Sequence, residues 1–196
     1  MNEYKKILPA KTFPFSCFIL KIGEWKKLFP EEEYKFMIAK AFNQCTYNRH
    51  ETDQYNEGKV SIAGYLITDC KVCLVIDNTE PALITRLLMM FYDKIRELIR
   101  LGLDRIKKPS PAKTGREETA PADTPYHNLF EKYPFTNYQL IKLITGQKVD
   151  LHYYDPHLAL MKDRLQDYNF CSVINYAGAK GPVRIKKVPK GYGWMV

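Results

Sequence analysis

Tyr65-Leu66-Ile67-Thr68-Asp69-Cys70-Lys71-Val72-Cys73-Leu74-Val75-Ile76 is the stretch whose reading decides the fold. Large aliphatic side chains crowd both flanks, and Thr68-Asp69-Cys70 between them is short and polar. The spacing predicts two strands, Lys59 to Thr68 and Lys71 to Ile76, joined by a tight reversal. Alternation in the second strand puts Lys71, Cys73 and Val75 on one face and Val72, Leu74 and Ile76 on the other. Downstream, Asp77-Asn78-Thr79 supplies capping side chains and Glu80-Pro81 suits a first helical turn. Ile84, Leu88, Phe91, Ile95 and Leu98 then recur at helical spacing, so a long helix is expected from Ala82 to Ile106. Its other side mixes Lys94, Arg96, Arg100 and Arg105 with Asp93, Glu97 and Asp104, which suits a solvated surface.

Upstream, Thr12 to Lys21 (TFPFSCFILK) is short, aromatic and β-branched, and reads as a buried strand. Pro30 followed by Glu31-Glu32-Glu33 marks a helix start, where a proline fits and acids meet the positive end of the helix dipole. Tyr34, Met37, Ile38, Ala41, Phe42 and Cys45 form its apolar face, and the polar run 48–58 closes the unit. The order strand, helix, strand, strand, helix predicts an α+β fold: a ferredoxin-like antiparallel sheet (βαββα) with helices on one face. This core is expected to span 8–106. Residues 107–124 (KKPSPAKTGREETAPADT) hold no large apolar side chain and read as a flexible linker. A C-terminal helical extension, 125–178, packs on the core. Within it Thr136-x-x-Gln139 has capping-box spacing before a helix ending at Gly146, and Asp155-Pro156 opens another. Leu158, Met161, Leu165 and Tyr168 share one face of that second helix. Phe170 to Tyr176 is β-prone enough to return to the sheet, and 179–196 is a basic tail.

The chain has 196 residues, enough for one good core, and a net charge of +8. Between Gly178 and Val196 stand Lys180, Arg184, Lys186, Lys187 and Lys190 with no acid, close to Tyr192 and Trp194. Such a run attracts phosphate through counterion release, with Trp194 able to stack on an unpaired base; it equally suits a solvated tail. Cys17, Cys45, Cys70, Cys73 and Cys171 are odd in number and scattered, which suits reduced structural thiols in a cytoplasmic compartment. No apolar run reaches the roughly 18 residues of a membrane helix, and no secretory signal is read at the start.

The hairpin resembles the signature hairpin of the single-tyrosine HUH transposases, especially the REP-associated tyrosine transposases. In that family a strand ending in a tyrosine-aliphatic run turns into His-hydrophobic-His, and the two histidines hold Mg²⁺ or Mn²⁺. The matching positions here are Lys71 and Cys73. A cationic lysine is a poor ligand, and a thiolate prefers softer metals. The resemblance therefore implies a DNA-binding relative without a metal cofactor and without metal-dependent strand cleavage. It covers mainly Thr12 to Ile106, and implies single-stranded or hairpin DNA as partner and a possible homodimer.

The family's nucleophile is a tyrosine on a C-terminal helix, which attacks DNA to form a phosphotyrosyl link. Tyr168 occupies a comparable place, although its spacing from Met161 and Leu165 also suits a core tyrosine. Tyr153 and Tyr154 are the other candidates. Of the histidines, His50 and His127 lie in polar segments, and His152 and His157 flank Tyr153-Tyr154-Asp155. Two alternatives stay open. One is an active transposase using Asp69, Asp77, His152 or His157 as substitute ligands, and the other is a protein-interaction module with no nucleic-acid role.

Overall fold

A computed structural model describes residues 15–47, 60–106 and 128–189. Strand β1 (Ser16–Ile22) leads through a 3-10 turn (Glu24–Leu28) into helix α1 (Glu31–Tyr47). Strands β2 (Ile62–Ile67) and β3 (Lys71–Ile76) form the hairpin, followed by the long helix α2 (Pro81–Ile106). Strand β4 (Phe130–Pro134) and helices α3 (Tyr138–Ile144), α4 (Pro156–Gln166) and α5 (Val173–Tyr176) complete the chain. The protein is a mixed α+β structure around a four-stranded sheet of order β2-β3-β1-β4, every pairing antiparallel.

Alternation divides the strands as the hairpin pattern predicts. Val72, Leu74 and Ile76 join Phe18, Leu20 and Ile22 in one apolar cluster, with Ile38 and Phe42 from α1 and Phe91 and Ile95 from α2. Phe42 and Phe91 stack ring on ring at 4.0 Å where the helices meet. Cys73 and Val75 face the other way, into a second cluster with Phe135, Ile141, Ile144, Leu165, Cys171 and Val188. The extension thus packs on the opposite face of the sheet from α1 and α2.

Four local expectations change. Strand β4 lies beyond 107–124 and pairs with β1 (Ile22 opposite Phe130), so the sheet is completed from both sides of that segment. It escapes pattern reading because only Phe130 of its five residues is buried, as suits a short edge strand. Helix α3 is capped by Asn137, whose Oδ1 accepts from the Leu140 amide at 3.0 Å, and not by Thr136. Gly146 follows that helix with φ of 69°, the left-handed geometry a glycine adopts without steric cost. Helix α4 begins as expected, with Asp155 accepting from the His157 and Leu158 amides, but it ends at Gln166, so Tyr168 lies past it. The run 170–176 lies along β2 but forms no strand there: its one β-bridge is Cys171 to Leu66, and it then turns into α5.

The segment expected as a basic tail is held in place as far as residue 189. Val183 is 0 % exposed and Val188 is buried. The Lys186 amide donates to the Ile62 carbonyl at 2.9 Å, and the Val188 amide to Tyr176 Oη at 3.1 Å. With the amide of Ile67 donating to Phe170 O and that of Ser172 to Tyr65 O, these contacts cover the outer edge of β2. A covered edge is a protected edge. The 107–124 segment, His50, His127, Lys190, Tyr192 and Trp194 lie outside the described residues. No helix among the described residues is long and apolar enough to cross a membrane.

Candidate nucleic-acid interface

The hairpin turn is tightly built. Thr68 Oγ1 accepts from the Lys71 amide at 3.1 Å and donates to the Lys71 carbonyl at 3.0 Å. Outside it, Lys26 Nζ and Tyr34 Oη both donate to the Asp69 carbonyl, at 2.7 and 3.1 Å. The Ile22 amide donates to Cys70 O, so β1 and the start of α1 together fix the turn.

Of the two positions that match metal-binding histidines, Lys71 is half-buried at the start of β3 and Cys73 is 0 % exposed. Cys73 sits opposite Ile19 on one neighbour strand and Leu66 on the other. Burial pushes its thiol up to about 11, so it is protonated at neutral pH and offers a metal no thiolate. The substitute ligands do not converge. Asp69 and Asp77 stand at opposite ends of β3, and His152 and His157 are exposed near the start of α4. Among the described residues no group of three or more His, Cys, Asp or Glu is placed to hold a metal ion.

Tyr168 lies between the two apolar clusters and touches both. Its hydroxyl donates to the Ile67 carbonyl at 2.8 Å and accepts from Lys35 Nζ at 2.8 Å. Lys35 is only 5 % exposed; its ammonium also pairs with the Glu31 carboxylate and lies over the rings of Tyr168 and Phe170, 5.2 and 5.7 Å from their centroids. Burial by itself lowers an ammonium's pKa, but the hydrogen bonds with Glu31 and Tyr168 outweigh it and raise Lys35 above its ordinary value. Lys35 therefore stays charged, and Tyr168 ties α1 to the end of β2. Tyr153 and Tyr154 are exposed, just ahead of α4.

The basic residues are spread along the packed C-terminal segment. Lys180, Arg184, Lys186 and Lys187 are exposed, and Lys186 Nζ pairs with Asp77 at 2.6 Å. Asn43 on α1 grips this segment with both ends of its amide. Its Nδ2 donates to Pro182 O at 2.8 Å, and its Oδ1 accepts from the Arg184 amide at 2.8 Å. Between α1 and this strap runs an open groove of about 400 Å³, lined by Phe36, Ala39, Lys40, Asn43, Gln44, Pro182 and Arg184.

Sequence reading selected Arg184 and missed Phe36, Lys40 and Asn43. One signal was present. Phe36 falls outside the apolar stripe of α1 (Tyr34, Met37, Ile38, Ala41, Phe42, Cys45), and it is 56 % exposed. Phe36, Lys40 and Asn43 follow at intervals of four and three, so they share one side of the helix. No family model, curated protein or solved structure matches the chain.

Proposed function

We propose that this chain is a DNA-binding relative of the single-tyrosine HUH transposases that no longer cleaves strands with a metal ion. The reading is supported by the element order β1-α1-β2-β3-α2-β4 and the antiparallel sheet order β2-β3-β1-β4, which suit a ferredoxin-like domain. The hairpin carrying Lys71 and Cys73 is the second and third strand of that layout. The observation that carries the loss of cleavage is the burial of Cys73. The position that would face metal and phosphate is instead packed among Ile141, Ile144, Leu165 and Val188. Tyr168 adds to it, because its hydroxyl is committed to Ile67 and Lys35. The charge of +8 and the basic C-terminal segment favour a phosphate-bearing partner.

Fluorescence anisotropy with single-stranded, hairpin and duplex DNA, at several salt concentrations, tests the binding. The expected result is affinity for unpaired or hairpin DNA that falls as salt rises. Absence of binding to all of them at low salt would refute it and favour an interaction module. Incubation with Mg²⁺ or Mn²⁺ followed by a denaturing gel tests the chemistry. No cleaved strand and no protein–DNA adduct is expected; a covalent adduct would make the protein an active transposase. Size-exclusion chromatography of the same sample reads whether the homodimer implied by the resemblance forms.

A further inference from the structure

We propose that the groove between α1 and the 182–184 strap is where an unpaired DNA strand seats, with Phe36 under a base and Lys40 and Arg184 on the flanking phosphates. This inference rests on the DNA-binding reading above and gives it a location away from the hairpin positions that match the family's metal site.

Three features of the groove carry it. The first is an aromatic ring left out in solvent at a cost. A half-exposed phenylalanine on a helix forgoes about half of the roughly 1.5–3 kcal/mol that full burial contributes. Phe36 packs against Phe170 at 4.9 Å with the planes at 69°, so the ring is held in one orientation. A fixed ring is a ready stacking platform, since little side-chain freedom is lost when a base settles on it.

The second feature is charge. Lys40 and Arg184 line the groove and no acid does. Glu32 and Glu33 stand a turn nearer the start of α1, which sets a direction for the strand: its phosphates run toward Lys40 and Arg184, away from those carboxylates.

The third is rigidity. Asn43 bonds both Pro182 and Arg184 across the groove, and Val183 between them is fully buried. The wall that bears Arg184 is therefore set before any ligand arrives, which reduces the ordering cost of binding.

The occupant has to be single-stranded. A base inside a duplex has both faces stacked and shows only its edge, whereas a lone ring such as Phe36 needs an open face. The groove is also on the scale of an unstacked nucleotide, not of a helix.

The test is anisotropy with a fluorescein-labelled oligo-dT on the full chain, with oligo-rU and a blunt duplex alongside. Phe36→Ala is expected to weaken oligo-dT binding about 5- to 150-fold without changing the salt slope. Phe36→Trp, which keeps a platform, should bind at least as well as the wild type and covers the case in which the alanine variant fails to fold. Lys40→Gln with Arg184→Gln should reduce the slope of log affinity against log salt by about 1.4, at 0.7 for each phosphate contact on a single strand. If the wild type binds oligo-dT and all three variants bind identically with an unchanged slope, the groove is overturned and the DNA reading stands. Binding of the duplex through Phe36 would overturn the single-strand assignment, and tighter binding of oligo-rU the choice of DNA. If the wild type binds none of the three at low salt, the DNA reading falls first and takes the groove with it.

Discussion

Replacing Tyr168 by phenylalanine removes one oxygen and separates two roles for this residue. That oxygen donates to Ile67 O and accepts from Lys35 Nζ, both at 2.8 Å. A neutral hydrogen bond contributes about 0.5–1.5 kcal/mol net, and one to a charged group about 1.5–3 kcal/mol. Tyr168 is half-buried, so water replaces part of what is lost and the lower end of the sum applies: about 2 kcal/mol. For a chain of this size that corresponds to a fall of roughly 4–8 °C in the melting midpoint. Urea unfolding at neutral pH, followed by circular dichroism, reads the change directly. A cycle with Lys35→Met shows how much of it passes through the ammonium, because the pair is in direct contact. If Tyr168 is a structural tie, Tyr168→Phe destabilises the fold and its double mutant with Lys35→Met loses less than the sum. A variant within 0.5 kcal/mol of the wild type would refute the reasoning about this contact. If that same variant also abolished a covalent DNA adduct formed by the wild type, Tyr168 would be the nucleophile after all.

Thiol titration with an aromatic disulfide at pH 8 should show one fast cysteine, Cys70, the only exposed one of the five. Burial pushes Cys17, Cys45, Cys73 and Cys171 each up to about 11, leaving roughly a thousandth of each as thiolate at that pH; a second fast thiol would contradict the burial of the cysteine that reacts, and of the hairpin if it is Cys73. Lys35 is raised above 10.5 in the folded state, so its contribution is complete below the unfolded value and disappears as pH rises through the native one. Relative to Lys35→Met, the wild type should therefore lose stability beyond pH 10.5, and a difference that stays flat through the alkaline range would contradict the sign. Gly64→Ala places a Cβ 2.8 Å from the Ile144 carbonyl and 3.0 Å from the Thr145 methyl, where α3 meets β2. It should lower the urea midpoint by an amount equivalent to about 1–3 kcal/mol, and an unchanged midpoint would mean that α3 packs less closely.

Elements that bury a continuous pattern were legible in the sequence. The alternation of Val72, Leu74 and Ile76 and the stripe from Ile84 to Leu98 each repeat one short-range rule several times, and tertiary packing reinforces them. Strand β4 was not legible, because Glu131, Lys132, Tyr133 and Pro134 are exposed on an edge and leave no period to read. The cap of α3 was misplaced by one residue, since Thr136 and Asn137 are both good caps and only local geometry decides between them. The candidate groove was least legible of all. Asn43 reaches across about 140 positions of sequence to Pro182 and Arg184, and no local pattern reports such a contact. In the C-terminal segment the cations drew the eye, while the two valines among them, Val183 and Val188, decide where those cations stand.

Those two valines tie the covered face of the sheet to the groove beside α1. Val188 belongs to the apolar cluster around Cys73, and Val183 to the cluster beneath α1. Between them the chain passes the edge of β2, where the Lys186 amide bonds Ile62. A strap anchored at both ends helps to cover the sheet face that carries Lys71 and Cys73, and it also stands Arg184 beside Lys40 and Phe36. A thiol at the position of Cys73 is compatible with that cover, because it is small and neutral when buried. Imidazoles at both positions, kept open to metal and phosphate, would leave the same apolar lid over groups that need water or an ion as partners. On the proposed reading, exchanging the histidines and packing down the C-terminal segment are one change seen from two sides. On that proposal, apolar packing takes the place of a catalytic sheet face, and contact with nucleic acid would fall to the rim where the strap meets α1.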